Sequence, residues 1–268
     1  MNILGKSIVM SVSVLIGTPA YSGIDIPGGD LSYRLTIVFN NIPCASRLKT
    51  AWGFSCLIEG FQHTILFDTG SDGDILLSNM KGLGIDPGAV SAIVLSHIHA
   101  DHCGGLKKFL QRNHDVTIYL PESFPASFSQ AVQECGARIE TVDEPAQLFA
   151  QVHSTGEMGE WIKEQSLVLE IPKGLVIITG CAHPGIVRIA QKVKGLHKKG
   201  IYMVVGGFHL AGTSSEQVRE IIRKLKGLGV EKVAPSHCTG GVAIDLFKKS
   251  WGKNFVEGGC GAVIPLNY

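Results

Sequence analysis

From about residue 35 the chain runs through short apolar segments, each ending in a turn. Residues 35–39, 54–59, 64–67 and 92–95 are short runs rich in β-branched and aromatic side chains, which predicts strands. A helical pattern over 75–81 stops at Gly82 and Gly84. A second helical pattern follows Gly104 and Gly105, with Leu106, Phe109 and Leu110 on one face. Further strands are predicted near 116–120, 167–171 and 175–179.

The second half alternates strand and helix more regularly: a strand at 201–205, a helix over 214–228 and a strand at 232–234. Thr213, with Glu216 three residues on, reads as the capping box of that helix, and Gly229 closes it. The runs VIIT and YMVV are apolar without alternation, as in strands covered on a face by helices. Two such sheets with helices outside them give a mixed α/β (α+β) chain folded as a four-layer αβ/βα sandwich. Residues 23–268 carry no internal repeat, low-complexity segment or linker that would divide them.

The N-terminus differs from the rest. Lys6 precedes an apolar run over 7–17, a proline at position 19 and the small residues Ala20 and Ser22, the order of an export signal with an A-x-S cleavage site. The run is short for a membrane span, so no stable insertion is expected once residues 1–22 are removed. The expected location is periplasmic or secreted; the alternative is a cytoplasmic protein beginning with a strand or a loose tail. Charge does little to narrow the partner: 24 basic and 23 acidic residues are interspersed, which disfavours nucleic acid and leaves a small-molecule substrate. Seven scattered cysteines without a C-x-x-C pair do not form a disulfide framework. Oligomeric state is not readable.

Chemistry concentrates after the strand at 92–95, where His97, His99, Asp101 and His102 follow within a few positions. In an extended segment residues two apart point the same way, so His97 and His99 can chelate one ion. Asp101 and His102 lie past the turn and suit a second ion, about 3.5–4 Å from the first in the usual two-metal arrangement. His183, His209 and His237 each follow another strand end, where ligands collect in sandwiched α/β sheets. Asp68, at the end of the strand over 64–67, reads as a carboxylate that fixes the tautomer of a ligating histidine. His63, His114, His153 and His197 have charged neighbours and read as solvated.

Together Asp68-Thr69-Gly70 and the H-x-H-x-D-H run over 97–102 resemble the signature of the metallo-β-lactamase superfamily. Gly53-Phe54-Ser55, the segment over 180–186, the segment over 206–210 and His237-Cys238-Thr239-Gly240 resemble one subgroup of it. The namesake of that subgroup is the archaeal dihydropterin-methyl-(ribofuranosyl)aminobenzene-phosphate synthase. The resemblance implies a third histidine for the first metal, a carboxylate bridge and a last histidine for the second metal. Cys181 stands at the bridge position, as a thiolate ligand or as a buried core cysteine. His183 replaces the histidine missing from Thr155-Gly156-Glu157. His237 is assigned to the metal and His209 to the substrate, the reverse being the alternative.

The chemistry so implied is a hydrolase using two divalent ions, zinc first and iron or manganese next, to direct hydroxide at a carbonyl or phosphoryl centre. Asp101 would orient the nucleophile, and His209 would protonate the leaving group or hold an anionic substituent. The alternatives are a metal-binding or sensor protein of the same fold and a synthase-like transferase, although an exported protein is badly placed for a cytosolic pterin pathway. A diiron oxidoreductase would carry glutamate in place of His99 and an appended flavin domain.

Overall fold

In the computed structural model the described residues are 33–267, and the expected signal over 1–22 lies outside them. The chain runs β1 (Arg34–Asn40), β2 (Phe54–Glu59), β3 (Ile65–Phe67), α1 (Gly73–Leu83), β4 (Ala92–Val94), α2 (Ala100–Cys103), α3 (Leu106–Leu110), β5 (Thr117–Pro121), α4 (Ala126–Glu134) and β6 (Arg138–Val142). It continues with β7 (Ala146–Phe149), β8 (Val152–Ser154), β9 (Leu167–Ile171), β10 (Gly174–Thr179), α5 (Ile186–Leu196), β11 (Ile201–Gly207), α6 (Ser215–Gly227), β12 (Lys232–Ser236), α7 (Gly241–Trp251) and β13 (Val263–Pro265).

The strands form two sheets, seven-stranded in the order β13-β1-β2-β3-β4-β5-β6 and six-stranded in the order β12-β11-β10-β9-β8-β7. Strand periodicity explains the layers: on β1, Leu35 and Ile37 point into the space between the sheets, whereas Val38 joins the outer layer. The inner layer packs Phe54, Ile65, Phe67, Leu169, Ile178 and Val205 from both sheets. Outside the first sheet, Leu66 and Ile93 meet Leu76 and Met80 of α1 and Phe109 of α3. Outside the second, Ile177 and Val204 meet Ile189 of α5, Val218 of α6 and Phe247 of α7. The result is the expected αβ/βα sandwich, and no described helix is long and apolar enough to cross a membrane.

Local details correct the sequence reading. Helix α1 starts earlier, on Asp72, whose carboxylate accepts from Asp74 N and Ile75 N; Gly82 lies inside it and Gly84 alone closes it in the left-handed region. The capping box of α6 is Ser214 with Gln217, one residue beyond Thr213 and Glu216, because Ser214 is the residue with extended backbone whose hydroxyl reaches the third amide. The sequence pattern does not predict helices α2, α4, α5 and α7 or strands β6, β7, β8 and β13. The shortest of them bury too little apolar surface to show a period.

Candidate metal centre

Strand ends facing one opening supply the residues. Asp68, fully buried after β3, accepts from Ser96 N at 2.7 Å, from Ser96 Oγ at 2.7 Å and from His102 Nδ1 at 2.7 Å. Thr69 then holds the carbonyl of His102 through both its amide and its hydroxyl, at 2.7 and 3.0 Å. Two glycines permit this closeness. A Cβ on Gly53 would lie 2.4 Å from the carbonyl oxygen of Asp101, and one on Gly180 would lie 2.1 Å from Ser96 Oγ.

Four imidazoles are held by the same device. His97 Nδ1 meets Ser96 Oγ at 2.9 Å, and His183 Nδ1 meets Glu164 Oε2 at 2.8 Å. His237 Nδ1 meets Asn41 Oδ1 at 2.9 Å, and Asp68 serves His102. With Nδ1 engaged, each ring turns Nε2 towards the opening. The Nε2 atoms of His97 and His237 are buried without a hydrogen-bond partner, a cost that a ligand would relieve. His237 Nε2 does approach Asp101 Oδ2 to 3.2 Å, out of hydrogen-bond alignment.

The ligand atoms fall into overlapping sets, each within 4.8 Å: His97, Cys181 and His183; Asp101, His102, Cys181 and His237; and Cys181, His209 and Cys238. Cys181 belongs to all three, and its Sγ lies 3.2 Å from His102 Nε2. His99 faces the same opening, its ring 4.7 Å from that of His97 and 4.9 Å from that of His183, but outside these sets. Exposed His209 packs 4.6 Å from His183. Thus His97, Asp101, His102, Cys181, His183 and His237 converge, with His99 and His209 at the rim. Two imidazole-rich sets that share a thiol, backed by orphaned Nε2 atoms, fit a pair of divalent ions.

Sequence reasoning missed Glu164. This buried carboxylate accepts from Cys181 N and Ala182 N on Oε1, at 2.9 and 2.8 Å, and from His183 N on Oε2 at 2.9 Å, besides its bond to His183 Nδ1. Burial opposes its ionisation, but the hydrogen bond from His183 and the nearby imidazoles hold its pKa down to about 2. Asn41 was missed too. Neither carried a local signal: Glu164 lies among Lys163, Gln165 and Ser166, and Asn41 follows Asn40.

The electrostatics follow from burial and partners. Burial disfavours the charged form of His102, yet Asp68 and Asp101 push its pKa up to about 10, while burial and the charge of His102 hold His97 down to about 2. The Cys181 thiol, hydrogen-bonded to Cys238 and buried, is pushed up, which leaves Cys238 the more acidic of the two.

The family model of the metallo-β-lactamase superfamily matches residues 53–237. The chain is 31% identical over 265 residues to the 7,8-dihydropterin-6-methyl-4-(β-D-ribofuranosyl)-aminobenzene-5'-phosphate synthase of Methanocaldococcus jannaschii, covering 80% of this chain and 90% of that protein. An uncharacterized protein of the same organism is 32% identical over 245 residues, covering 80% and 93%. A solved metal-dependent hydrolase of the β-lactamase superfamily is similar with a TM-score of 0.75 and 26% identity, covering 88% of this chain and all of that one. The short form of human tRNase Z, at 13% identity and a TM-score of 0.57 over 88% of this chain and 100% of that one, shares the fold alone. The chain belongs to the metallo-β-lactamase superfamily.

Proposed function

We propose that the protein is a dinuclear metal-dependent hydrolase acting on a carbonyl or phosphoryl centre of a small molecule. The observation that carries this reading is the set of four imidazoles, each fixed through Nδ1 by its own partner and each presenting Nε2 to one opening. His97, His99 and His183 would hold the first ion, Asp101, His102 and His237 the second, and Cys181 would lie between them. The thiol favours zinc over iron or manganese. Bound there, the ions supply Lewis acidity and lower the pKa of water towards neutrality.

The protein's own groups do the rest. Asp68 and Glu164 hold His102 and His183 in one tautomer, and Asp101 would orient the attacking group. A cavity of about 450 Å³ beside the opening is lined by His183, Phe208, His209, Arg188 and Lys224. There the exposed His209 would pass a proton to the leaving group, and the two cations would attract an anionic substituent. Trp161, 94% exposed, lines an adjoining cavity with His183 and His209 and offers an aromatic body a face to stack on.

A second reading is group transfer to an acceptor other than water, favoured by the 31% identity to a protein described as a synthase. Purified protein should carry close to two metals per chain. It should turn over at least one of a panel of esters, thioesters, lactones, β-lactams and phosphodiesters, with activity lost to chelator and restored by zinc. An added aryl amine that captures the product would favour transfer. Tight metal without turnover of any kind would leave a binding protein. Full metal content and turnover in an Asp101→Ala, His102→Ala double variant would overturn the site.

A further inference from the structure

We infer that His153, Glu170 and His197 form an additional divalent-metal site of two imidazoles and one carboxylate, at the end of the six-stranded sheet remote from the histidine opening. Strand register brings the first two together. His153 of β8 pairs with Val168 of β9, and Glu170, two residues on, projects from the same face as Val168, the face that packs on the helices. His197 ends α5 with extended backbone and drops over that face. Three separate elements therefore deliver one ligand each.

The geometry is that of a ligand set more than a hydrogen-bond network. His197 Nδ1 lies 3.2 Å and His153 Nε2 3.3 Å from the same oxygen, Glu170 Oε1, and only the first is aligned as a hydrogen bond. The rings stand 4.9 Å apart at 70°, so both nitrogens reach one point. The three ligand atoms lie within 4.8 Å of one another. Lys199 Nζ occupies the other oxygen, Oε2, at 2.7 Å, which fixes the carboxylate plane and leaves Oε1 to the two imidazoles. Burial together with the neighbouring His197 lowers the pKa of His153, which keeps its lone pair available near neutral pH.

The side chains are 18%, 22% and 13% exposed for His153, Glu170 and His197, enough for an ion to enter and keep a water as fourth ligand. Two imidazoles, a carboxylate and a water is a zinc-type set. Glu170 pairs with Leu175 at the start of β10, six residues before Cys181, so the new site is about 20 Å from the shared thiol. It would tie β8, β9 and the end of α5 without touching the reaction.

The test is zinc bound per chain after gel filtration of the full-length protein, with isothermal titration, in wild type and in a His153→Ala, His197→Ala double variant. The variant should bind one equivalent less, with the zinc of the histidine opening and any turnover unchanged. Glu170→Gln, which keeps the amide oxygen for the histidines, should weaken that one equivalent by tenfold or more and guards against a misfolded double variant. In wild type, zinc should protect His153 and His197 from diethyl pyrocarbonate. Equal stoichiometry and affinity in all three proteins, or no protection at micromolar zinc, would overturn the inference.

Discussion

Replacing Glu164 by glutamine probes how strongly the 181–183 turn depends on one carboxylate. The two oxygens accept four hydrogen bonds, two each. Glutamine is nearly isosteric, yet whichever oxygen becomes the amide nitrogen faces two donors instead of accepting from them. Placing the nitrogen at Oε2 sets it against His183 N–H and lets His183 Nδ1 only accept. That tautomer carries its proton on Nε2, the atom that faces the opening. Two lost charge-assisted bonds, each about 1.5–3 kcal/mol, predict a loss of about 3–6 kcal/mol. The pKa shift agrees in scale: a fall from 4.5 to about 2 corresponds to about 3 kcal/mol.

The pH window follows, because a depressed carboxylate pKa adds stability that is complete above about pH 4.5 and disappears as pH falls towards 2. Urea unfolding at pH 7 and pH 3 should show the wild type losing about 2 kcal/mol of this increment while Glu164→Gln changes less. Chelator competition should show zinc at the His97–His183 set weakened by about 10–100-fold, the usual effect of losing the group behind a ligating histidine. A variant within about 0.5 kcal/mol of wild type, with unchanged zinc affinity, would refute this account of Glu164.

Gly180→Ala should lose metal and stability together, since its Cβ would sit 2.1 Å from Ser96 Oγ and 3.0 Å from Asp68 Oδ2; full metal content by elemental analysis would contradict that. Cys181→Ser should lower bound metal below the wild-type count, because the thiol belongs to all three sets around the opening; elemental analysis reads it directly. Chelation should lower the melting temperature, and zinc at about 100 times its Kd should return about 2.7 kcal/mol, seen by thermal scanning of chelated and reconstituted protein.

The histidine cluster was legible because its residues are adjacent in sequence and follow a strong apolar run. The layers were legible because runs such as that of β10 have no charged position and are apolar up to the closing Thr179. What stayed hidden depends on contacts across the fold. Glu164 reaches a turn 17 to 19 residues away, and Asn41 reaches His237 across 196 residues, with nothing in local pattern to mark either. His153 and His197 were read as solvated from their charged neighbours. The structure half-buries both against Glu170, since the relevant neighbour lies on another strand.

Asp68, Ala182, His209 and His237 all adopt positive φ, at 56°, 60°, 51° and 51°, although none is glycine. Each stands just past a strand, one in the first sheet and three in the second. Such backbone costs about 1–3 kcal/mol per residue and persists only where surrounding structure enforces it. The centre is therefore one corner repeated, in which main chain sets position and side chain sets chemistry. Glu164 and the close approaches at Gly180 and Gly207 hold the corner that carries Cys181, so the main chain there keeps its path whatever side chain stands at position 181.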